Sequence, residues 1–425
     1  MVNFNLILRN KNFLFLWIGQ IISQLGDRID QMALIAFISL RFPRSPLAVA
    51  KILSFTIIPV FLIGPVAGVY VDRWDRRRTM YICDFIRAGL VFTIPFFLFY
   101  RQNLFFIYTI VFLIFCIGRF FVLAKYSIIP KLVRNEELLL ANSLVNVTGM
   151  IAAITGFGVG GVIVEWVGAK NGFYIDALSF FISALLIFLI GINSRQKTVF
   201  RTESIKEVTK VGKEIVESIG KSVITEIKEG IIYFFKQREI RFIAAILFLL
   251  WSALGSVYTV LIVFVQESLR STTKDLGLLI MFLGIGLFLG SLIYGRFGGK
   301  FSQYKTIFSS LIAGGLMLII FALGLRYNPN FIFAAILAFL FGLSVSPIMV
   351  ASNTLIHNIS EDKMMGKTFS SLEMVIHLGF LLFMFISSFL TEQVSKVLVL
   401  IIVGMFFSLL GLLNLIFHRK IPWLS

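Results

Sequence analysis

Polar and charged side chains recur along one face of the first apolar stretch of the chain. Gln24, Asp27 and Gln31 follow one another at helical spacing, so they share one side of a helix, with Arg28 and Asp30 at its border. A charge at the centre of a bilayer costs about 2.5–3.5 kcal/mol on translocon scales, so such residues rarely face lipid. We expect this face to border a hydrated cavity, where its carboxylates contact a substrate or carry a proton. The alternative is a local Asp27–Arg28–Asp30 network that only fixes helix packing.

Arg119 places a permanent charge in the second half of the fourth apolar stretch. A guanidinium group does not lose its proton in proteins, so this residue requires a partner. Asp27 and Asp30 are candidate partners, and an anionic ligand is another. The remaining possibility is that the side chain snorkels to the edge of the membrane, as long basic side chains do.

Two further pairs of ionisable residues have helical spacing. Asp84 and Arg87 are at i, i+3 in the third stretch, where we expect an ion pair with a structural or gating role. Glu373 and His377 are at i, i+4 in the eleventh stretch, and a carboxylate beside an imidazole can carry a proton at physiological pH. The alternative for this second pair is a polar contact that stabilises helix packing. Three other acidic residues are expected at the outer interface: Glu165, Asp176 and Glu267.

The elements that must position these residues are long apolar stretches. The chain has 425 residues, of which 58% are hydrophobic and 14% are charged, and its mean hydropathy is +0.93. About 20 apolar residues cross a bilayer as a helix, which also satisfies its own backbone hydrogen bonds. We therefore predict an all-α membrane protein with twelve transmembrane helices. The predicted spans are 13–40, 46–71, 79–100, 104–124, 138–165, 168–192, 242–266, 275–295, 306–325, 331–352, 368–391 and 395–417.

The spans divide into two sets of six. Residues 1–192 are predicted to form an N-terminal six-helix bundle, and residues 242–425 a C-terminal one. Between them, residues 193–241 are charged, but isoleucine and valine recur every three or four positions. This pattern predicts a cytoplasmic linker with an amphipathic helix. A glycine, a short apolar turn and a basic cluster follow both the second and the eighth span, which indicates an internal repeat.

The distribution of positive charge predicts the topology. The formal net charge is +17, and Lys and Arg concentrate in the loops on the side that holds both termini. Because cytoplasmic loops are enriched in Lys and Arg, we expect both termini in the cytoplasm. The basic character is then explained by topology and by attraction to anionic lipids, and no nucleic-acid partner is expected.

Motifs of enzymes and metal sites are missing from the sequence. It contains neither His-Glu-x-x-His nor Gly-x-Ser-x-Gly, and its two cysteines both fall within predicted spans. Gly366-Lys367-Thr368 resembles the end of a P-loop, but Glu361 stands where the loop needs its first glycine. We expect a protein that is not an enzyme, with no catalytic residues, cofactor or metal.

The loop after the second span resembles a signature of the major facilitator superfamily, Gly-x-x-x-Asp-Arg/Lys-x-Gly-x-Arg/Lys-Arg/Lys. Gly68, Asp72, Arg73, Arg77 and Arg78 match it, although an aspartate replaces the second glycine. Within the superfamily, the chain is similar to bacterial macrolide-efflux and siderophore-export carriers. Stretches that carry this similarity are Gly26-Asp27, Asp72–Arg77 with Asp84 and Arg87, Ile129–Val133, Ala141–Leu144 and Ile175–Phe180.

The resemblance implies two six-helix bundles around a central cavity that works by alternating access. In the family, the aspartate that corresponds to Asp72 meets the start of span 11 and holds the cytoplasmic side closed. Spans 1, 4, 7 and 10 line the family's cavity, which makes Trp251, Tyr258 and Asn353 candidates in the second half, beside Glu373 and His377. The gating set is Gly68, Asp72, Arg73, Arg77, Arg78, Asp84 and Arg87.

We therefore expect a bacterial secondary active transporter, a monomer of the inner membrane that exports amphipathic, drug-like or siderophore-like small molecules. Its partners would be the substrate, protons or another coupling ion, and membrane lipids. The substrate or coupling residues would be Asp27, Asp30, Arg28, Gln24, Gln31 and Arg119. Two alternatives remain open. Ala124-Lys125-Tyr126 also resembles lysophospholipid flippases of this superfamily, and a non-transporting membrane scaffold or sensor would use the same spans.

Overall fold

A computed structural model of the chain describes residues 4–98, 104–191, 238–359 and 365–417. These residues are almost entirely helical and form twelve α-helices, of which the first is only six residues long. The helices are α1 (Phe4–Arg9), α2 (Lys11–Arg41), α3 (Pro46–Arg73), α4 (Arg76–Phe96), α5 (Leu104–Leu132), α6 (Leu138–Phe188), α7 (Arg238–Leu269), α8 (Lys274–Phe297), α9 (Gln303–Tyr327), α10 (Phe331–Ile359), α11 (Met365–Leu390) and α12 (Lys396–Phe417). The predicted amphipathic linker helix falls largely on residues 192–237, outside the described ranges.

Helix α6 contains two of the predicted spans. It is 51 residues long and breaks at Gly168, where φ is 82° and ψ is 158°. Glycine adopts a positive φ without the steric penalty of a side chain, so the chain can turn here and start a second helical limb. The two limbs, 138–167 and 169–188, correspond to the predicted spans 138–165 and 168–192.

Eight helical segments among the described residues are long and apolar enough to cross a membrane. Shorter apolar segments are also present in α3 and α11, at Pro46–Val60 and Val375–Leu390. Their surfaces carry many exposed leucine, isoleucine and phenylalanine side chains, as a surface that faces lipid requires. The fold is therefore that of a multi-pass helical membrane protein.

Small residues let α2 approach both limbs of α6. Gly19 faces Ser183 on the second limb at 3.4 Å, measured from the position that a Cβ would occupy. Gly160 on the first limb faces the backbone of Ile29 at 3.2 Å in the same way. A small residue at such a contact allows helix backbones to pack closely within membranes. As a result, the polar face of α2 is held beside α6.

The second half of the chain packs by the same rule. Helix α8 lies against α10, α9 against α12, and α7 against α11. At the α8–α10 contact, Gly286 meets the carbonyl of Phe339 and Gly342 meets the carbonyl of Leu283. The first half likewise pairs α2 and α4 with α6, and α3 with α5.

Contacts between the two halves concentrate at the end of the molecule that holds residues 42–45 and 270–273, which we call the α2–α3 end. Here α6 packs on α8, and α3 packs on α11 and α7. Ser39 Oγ donates a 2.9 Å hydrogen bond to Gln266 Oε1, and Arg44 Nε lies 3.8 Å from Glu267 Oε1. The two halves therefore meet tightly at this end of the molecule.

Candidate functional site

A cavity of about 600 Å³ lies between helices of both halves. Its walls come from α2, α3, α4, α5 and α6 on one side, and from α7 and α11 on the other. Ligand pockets typically have volumes of about 300–1,000 Å³, so this one has room for a drug-sized molecule. The cavity is the natural candidate for the functional site.

The polar face of α2 forms one wall of this cavity. Gln24, Asp27, Arg28 and Gln31 all line it, as the helical spacing of the first apolar stretch predicts. Arg28 Nη1 donates a 2.9 Å hydrogen bond to Gln31 Oε1. Asp30 lies outside the lining and is only 4% exposed, because it points from α2 into the protein.

Arg87 on α4 links the first and third predicted spans through an ion pair. Its Nη2 lies 2.6 Å from Asp27 Oδ1 on α2, and its Nη1 lies 3.4 Å from Asp84 Oδ1 on the same helix. The guanidinium group also covers the ring of Phe180, 3.8 Å from its centroid. The Asp27 side chain is 31% exposed, whereas those of Arg87 and Asp84 are 8% and 0% exposed. Asp27 is thus the acid of this cluster that remains accessible from the cavity.

Other buried carboxylates complete the cluster behind the wall. Asp84 Oδ2 accepts a 2.6 Å hydrogen bond from Ser183 Oγ, and Asp176 Oδ1 accepts a 3.0 Å bond from Ser179 Oγ. Asp30 and Asp176 interact electrostatically with Arg87 and with Asp27. Asp30 Oδ1 and Asp176 Oδ2 lack a hydrogen-bond partner within the described ranges.

Asp176 corrects the expectation that it lies at the outer interface. It is 1% exposed and packs beside Gly26 of α2, because the close approach of α2 and α6 encloses it. Glu165 and Glu267, in contrast, lie at the α2–α3 end, where they contact Thr273 and Arg44 of the loops. Position along a helix does not reveal which neighbour covers a side chain, which is why the Asp176 prediction was wrong.

Lys125 is a cavity residue that the sequence analysis placed outside the fourth span. That span was predicted to end at residue 124, but α5 continues to Leu132, so Lys125 lies within the helix. Its side chain lines the cavity, is 5% exposed and lies 4.8 Å from the centroid of the Tyr126 ring. Arg119 lines the same cavity from α5. Helical spacing from Gly118 through Val122 to Lys125 was the signal that could have revealed the lysine.

Aromatic side chains form the wall contributed by the second half. Trp251 and His377 lie with their ring centroids 5.6 Å apart, and Tyr258 and Phe380 are separated by the same distance. All four line the cavity. Among the described side chains, α10 contributes none to the lining, whereas α11 does, in contrast to the spans implied by the resemblance. The side chains of Asn353 and Glu373 lie outside the described part of the structure.

The basic stretch after α3 forms the N-terminus of helix α4. Asp75 Oδ1 accepts a 2.8 Å hydrogen bond from the backbone N–H of Arg78 and so caps the helix. Arg77 donates a hydrogen bond to the carbonyl of Phe188, and its guanidinium lies 5.6 Å from the centroid of that ring. It thereby ties the loop to the end of α6. Gly68, Asp72 and Arg73 belong to α3, but their side chains are not among those the structure describes.

The helical membrane fold and the polar cavity between its two halves are typical of membrane transporters. The sequence model of the family described as "Transmembrane secretion effector" matches residues 6–419. The chain therefore belongs to this family of the major facilitator superfamily.

Relatives support the family assignment over most of the chain. Macrolide efflux protein A of Streptococcus pyogenes is 23% identical, with 90% of each chain covered. The putative bacilysin exporter BacE of Bacillus subtilis is 25% identical, with 93% of each chain covered. The uncharacterised MFS-type transporter YkuC of Bacillus subtilis is 25% identical over 85% of this chain and 81% of its own length.

Solved structures of transporters share the fold. A POT family transporter in complex with a thioalcohol-conjugated peptide aligns with a TM-score of 0.71 and 14% identity, covering 96% of both chains. The nucleoside transporter NupG aligns with a TM-score of 0.72 and 12% identity, covering 96% of this chain and 100% of its own. At this identity the likeness concerns the fold alone.

Proposed function

We propose that this protein is a secondary active exporter that moves amphipathic small molecules by alternating access and is coupled to protons. It would have twelve spans in two six-helix bundles, 1–192 and 242–425, joined by the linker 193–241. Both termini would lie in the cytoplasm of a bacterium, with the spans in the inner membrane. We further propose that it works as a monomer without a cofactor or metal.

The observation that carries this proposal is the position of Asp27. It is a partly exposed carboxylate on the wall of a cavity bordered by both halves, and it is paired with a buried arginine. A proton that enters the cavity can bind Asp27 Oδ1, which removes the negative charge facing Arg87. The guanidinium then relies on Asp84, its second partner, and α2 is released from α4. A change in the contact between two helices is what coupling requires.

Hydrogen bonds at the α2–α3 end support the proposal that this end is the outer gate and that the gate is closed in the present conformation. Glu165 Oε2 accepts hydrogen bonds from the backbone N–H of Thr273 at 2.7 Å and of Lys274 at 3.3 Å. Thr273 Oγ1 donates a 2.9 Å bond to the carbonyl of Gly161. A carboxylate at a helix N-terminus is stabilising by about 0.3–1 kcal/mol, and by about 2 kcal/mol at most when partly buried. Such a contact between α6 and α8 can break and reform in each transport cycle.

Two of the relatives favour export over uptake. One is described as a macrolide efflux protein and another as a putative bacilysin exporter. The test is transport by the purified protein in proteoliposomes under an imposed pH gradient, with a panel of amphipathic compounds and protein-free vesicles as the control. Substrate movement that depends on the gradient supports the proposal. No gradient-dependent flux of any compound, from protein that is folded, would refute it.

A lysophospholipid flippase is the second candidate. Lys125 and Tyr126, which belong to the stretch that resembles those carriers, both line the cavity. A fluorescent lysophospholipid assayed in the same vesicles distinguishes the two functions. Protection of that lipid from a bilayer-impermeant quencher, together with no flux of soluble compounds, favours the flippase.

A further inference from the structure

We propose that the cavity binds an anionic amphipathic molecule, with its carboxylate or phosphate group beside Lys125 and its apolar body on the aromatic wall. This inference names the substrate class of the proposed exporter and rests on that function. It concerns the charge of the ligand, which neither the fold nor the family assignment specifies.

The charged groups on the cavity surface are mostly basic. The described charged residues of the lining are Asp27, Arg28, Arg87, Arg119 and Lys125. The single acid among them is bonded to Arg87 at 2.6 Å, so those two charges offset each other. Among the described lining residues, Arg28 and Lys125 then present positive charge to the cavity, which attracts an anion and repels a cation.

The other acids of the cluster do not reverse this balance at the cavity surface. Asp30, Asp84 and Asp176 lie behind the wall, and none of them lines the cavity. Both oxygens of Asp84 are occupied, by Arg87 and by Ser183. Within the described residues, Asp27 is the carboxylate whose charge acts on Lys125.

Lys125 is a buried cation without a carboxylate partner among the described residues. Its side chain is 5% exposed, and its ammonium group lies 4.8 Å from the centroid of the Tyr126 ring. Burial of an ammonium group is costly unless it is paired and hydrogen-bonded. Because the Lys125 side chain lines the cavity, its three N–H donors suit an anionic oxygen of a ligand.

Arg28 extends the basic surface toward the second half. Its hydrogen bond to Gln31 engages a neutral amide, and its guanidinium lies 4.8 Å from the centroid of the Phe157 ring. Its charge also acts on Tyr258 across the cavity. A ligand that spans the cavity from Lys125 thus meets amides and a second cation before it reaches the far wall.

The far wall is suited to an apolar body. Trp251, Tyr258 and Phe380 present aromatic faces there, with Phe380 packed against both of the others. Aromatic rings contribute a large apolar area with fixed geometry. The arrangement of a basic end and an aromatic end defines an amphipathic anion rather than a lipophilic cation.

The experiment measures binding to the purified full-length protein in nanodiscs, independently of transport. Isothermal titration calorimetry compares 1-naphthaleneacetate, 1-naphthyl phosphate and 1-naphthylmethylamine, which share one ring system and differ in charge. We expect each anion to bind at least about tenfold more tightly than the amine. Lys125→Gln should reduce this preference to within about threefold, and Lys125→Arg should restore most of it. Lys131→Gln is the matched control, because Lys131 is exposed on the same helix and lies outside the cavity.

Equal or tighter binding of the amine by the wild-type protein would overturn the inference, as would an unchanged preference in Lys125→Gln. Either result leaves the proposed exporter intact if proteoliposome flux persists. A parallel titration with lysophosphatidate tests whether the anion reaches the site from the bilayer or from solution. Binding of this lipid with no binding of the naphthyl anions supports an anionic site that takes its ligand from the bilayer.

Discussion

Arg87 on α4 holds the cavity carboxylate of Asp27 on α2 at 2.6 Å, although sixty positions separate them in the chain. The arginine is buried and also faces Asp84, while the aspartate remains accessible from the cavity. The cavity-facing carboxylate of one helix is therefore bonded to a buried cation of another helix. The predictions below follow from this pair and from the helix contacts around it.

Neutralising Asp27 should separate transport from folding. In Asp27→Asn, Arg87 keeps Asp84 as a partner, so we expect the melting temperature to change little. The asparagine cannot take up a proton, so transport driven by a pH gradient in proteoliposomes should be lost. Glu392→Gln removes an exposed carboxylate from the turn after α11 and serves as the control. Normal pH-driven flux in Asp27→Asn would rule out a coupling role for this residue.

Removing Arg87 should instead destabilise the protein. Arg87→Met leaves Asp84 buried without its cation, and breaking a buried pair costs about 3–5 kcal/mol. We expect a clearly lower melting temperature in detergent, measured by intrinsic fluorescence. Adding Asp84→Asn to this variant removes the uncompensated charge and should recover part of the loss. If the double variant is no more stable than Arg87→Met, the pair does not act as a unit.

Breaking the contact of Glu165 should open the α2–α3 end. Glu165→Ala removes the acceptor for Thr273 and Lys274, so the outer gate should open more often. The reporter is a cysteine at Thr56 in the cavity, in a chain whose two native cysteines are replaced by serine. Labelling of this cysteine by an impermeant maleimide added outside should rise a few-fold, which matches about 1 kcal/mol. Glu136→Ala, at an exposed acid before α6, should leave the labelling rate unchanged.

A methyl group at Gly26 should separate α2 from α6. The new Cβ would collide with Ser179 and Asp176, and overpacking of this kind costs about 1–3 kcal/mol. Gly89→Ala is the matched control, because no atom lies within 4 Å of its Cβ position. We expect Gly26→Ala to lower the melting temperature, and Gly89→Ala to leave it unchanged or raise it slightly. A lower melting temperature for Gly89→Ala than for Gly26→Ala would show that the α2–α6 contact accommodates a methyl group without loss of stability.

The polar face of α2 shows what helical periodicity can predict. The spacing of Gln24, Asp27 and Gln31 predicts a shared face, and all three line the cavity. The break between the fifth and sixth spans was also readable, since apolar runs end near Gly168. The loop signature led to the superfamily, which the match over residues 6–419 confirms.

The sequence did not predict which residues on different helices contact each other. Nothing in the spacing of Asp27 and Arg87 indicates that they meet, and Asp176 was expected at the outer interface. The fourth span was predicted to end at residue 124, one position before Lys125, whereas the helix continues to Leu132 and places Lys125 on the cavity wall. Periodicity along a chain reports which residues share a face of one helix, since the backbone geometry is local. Which helix covers that face depends on packing between segments far apart in sequence, and only the tertiary structure decides it.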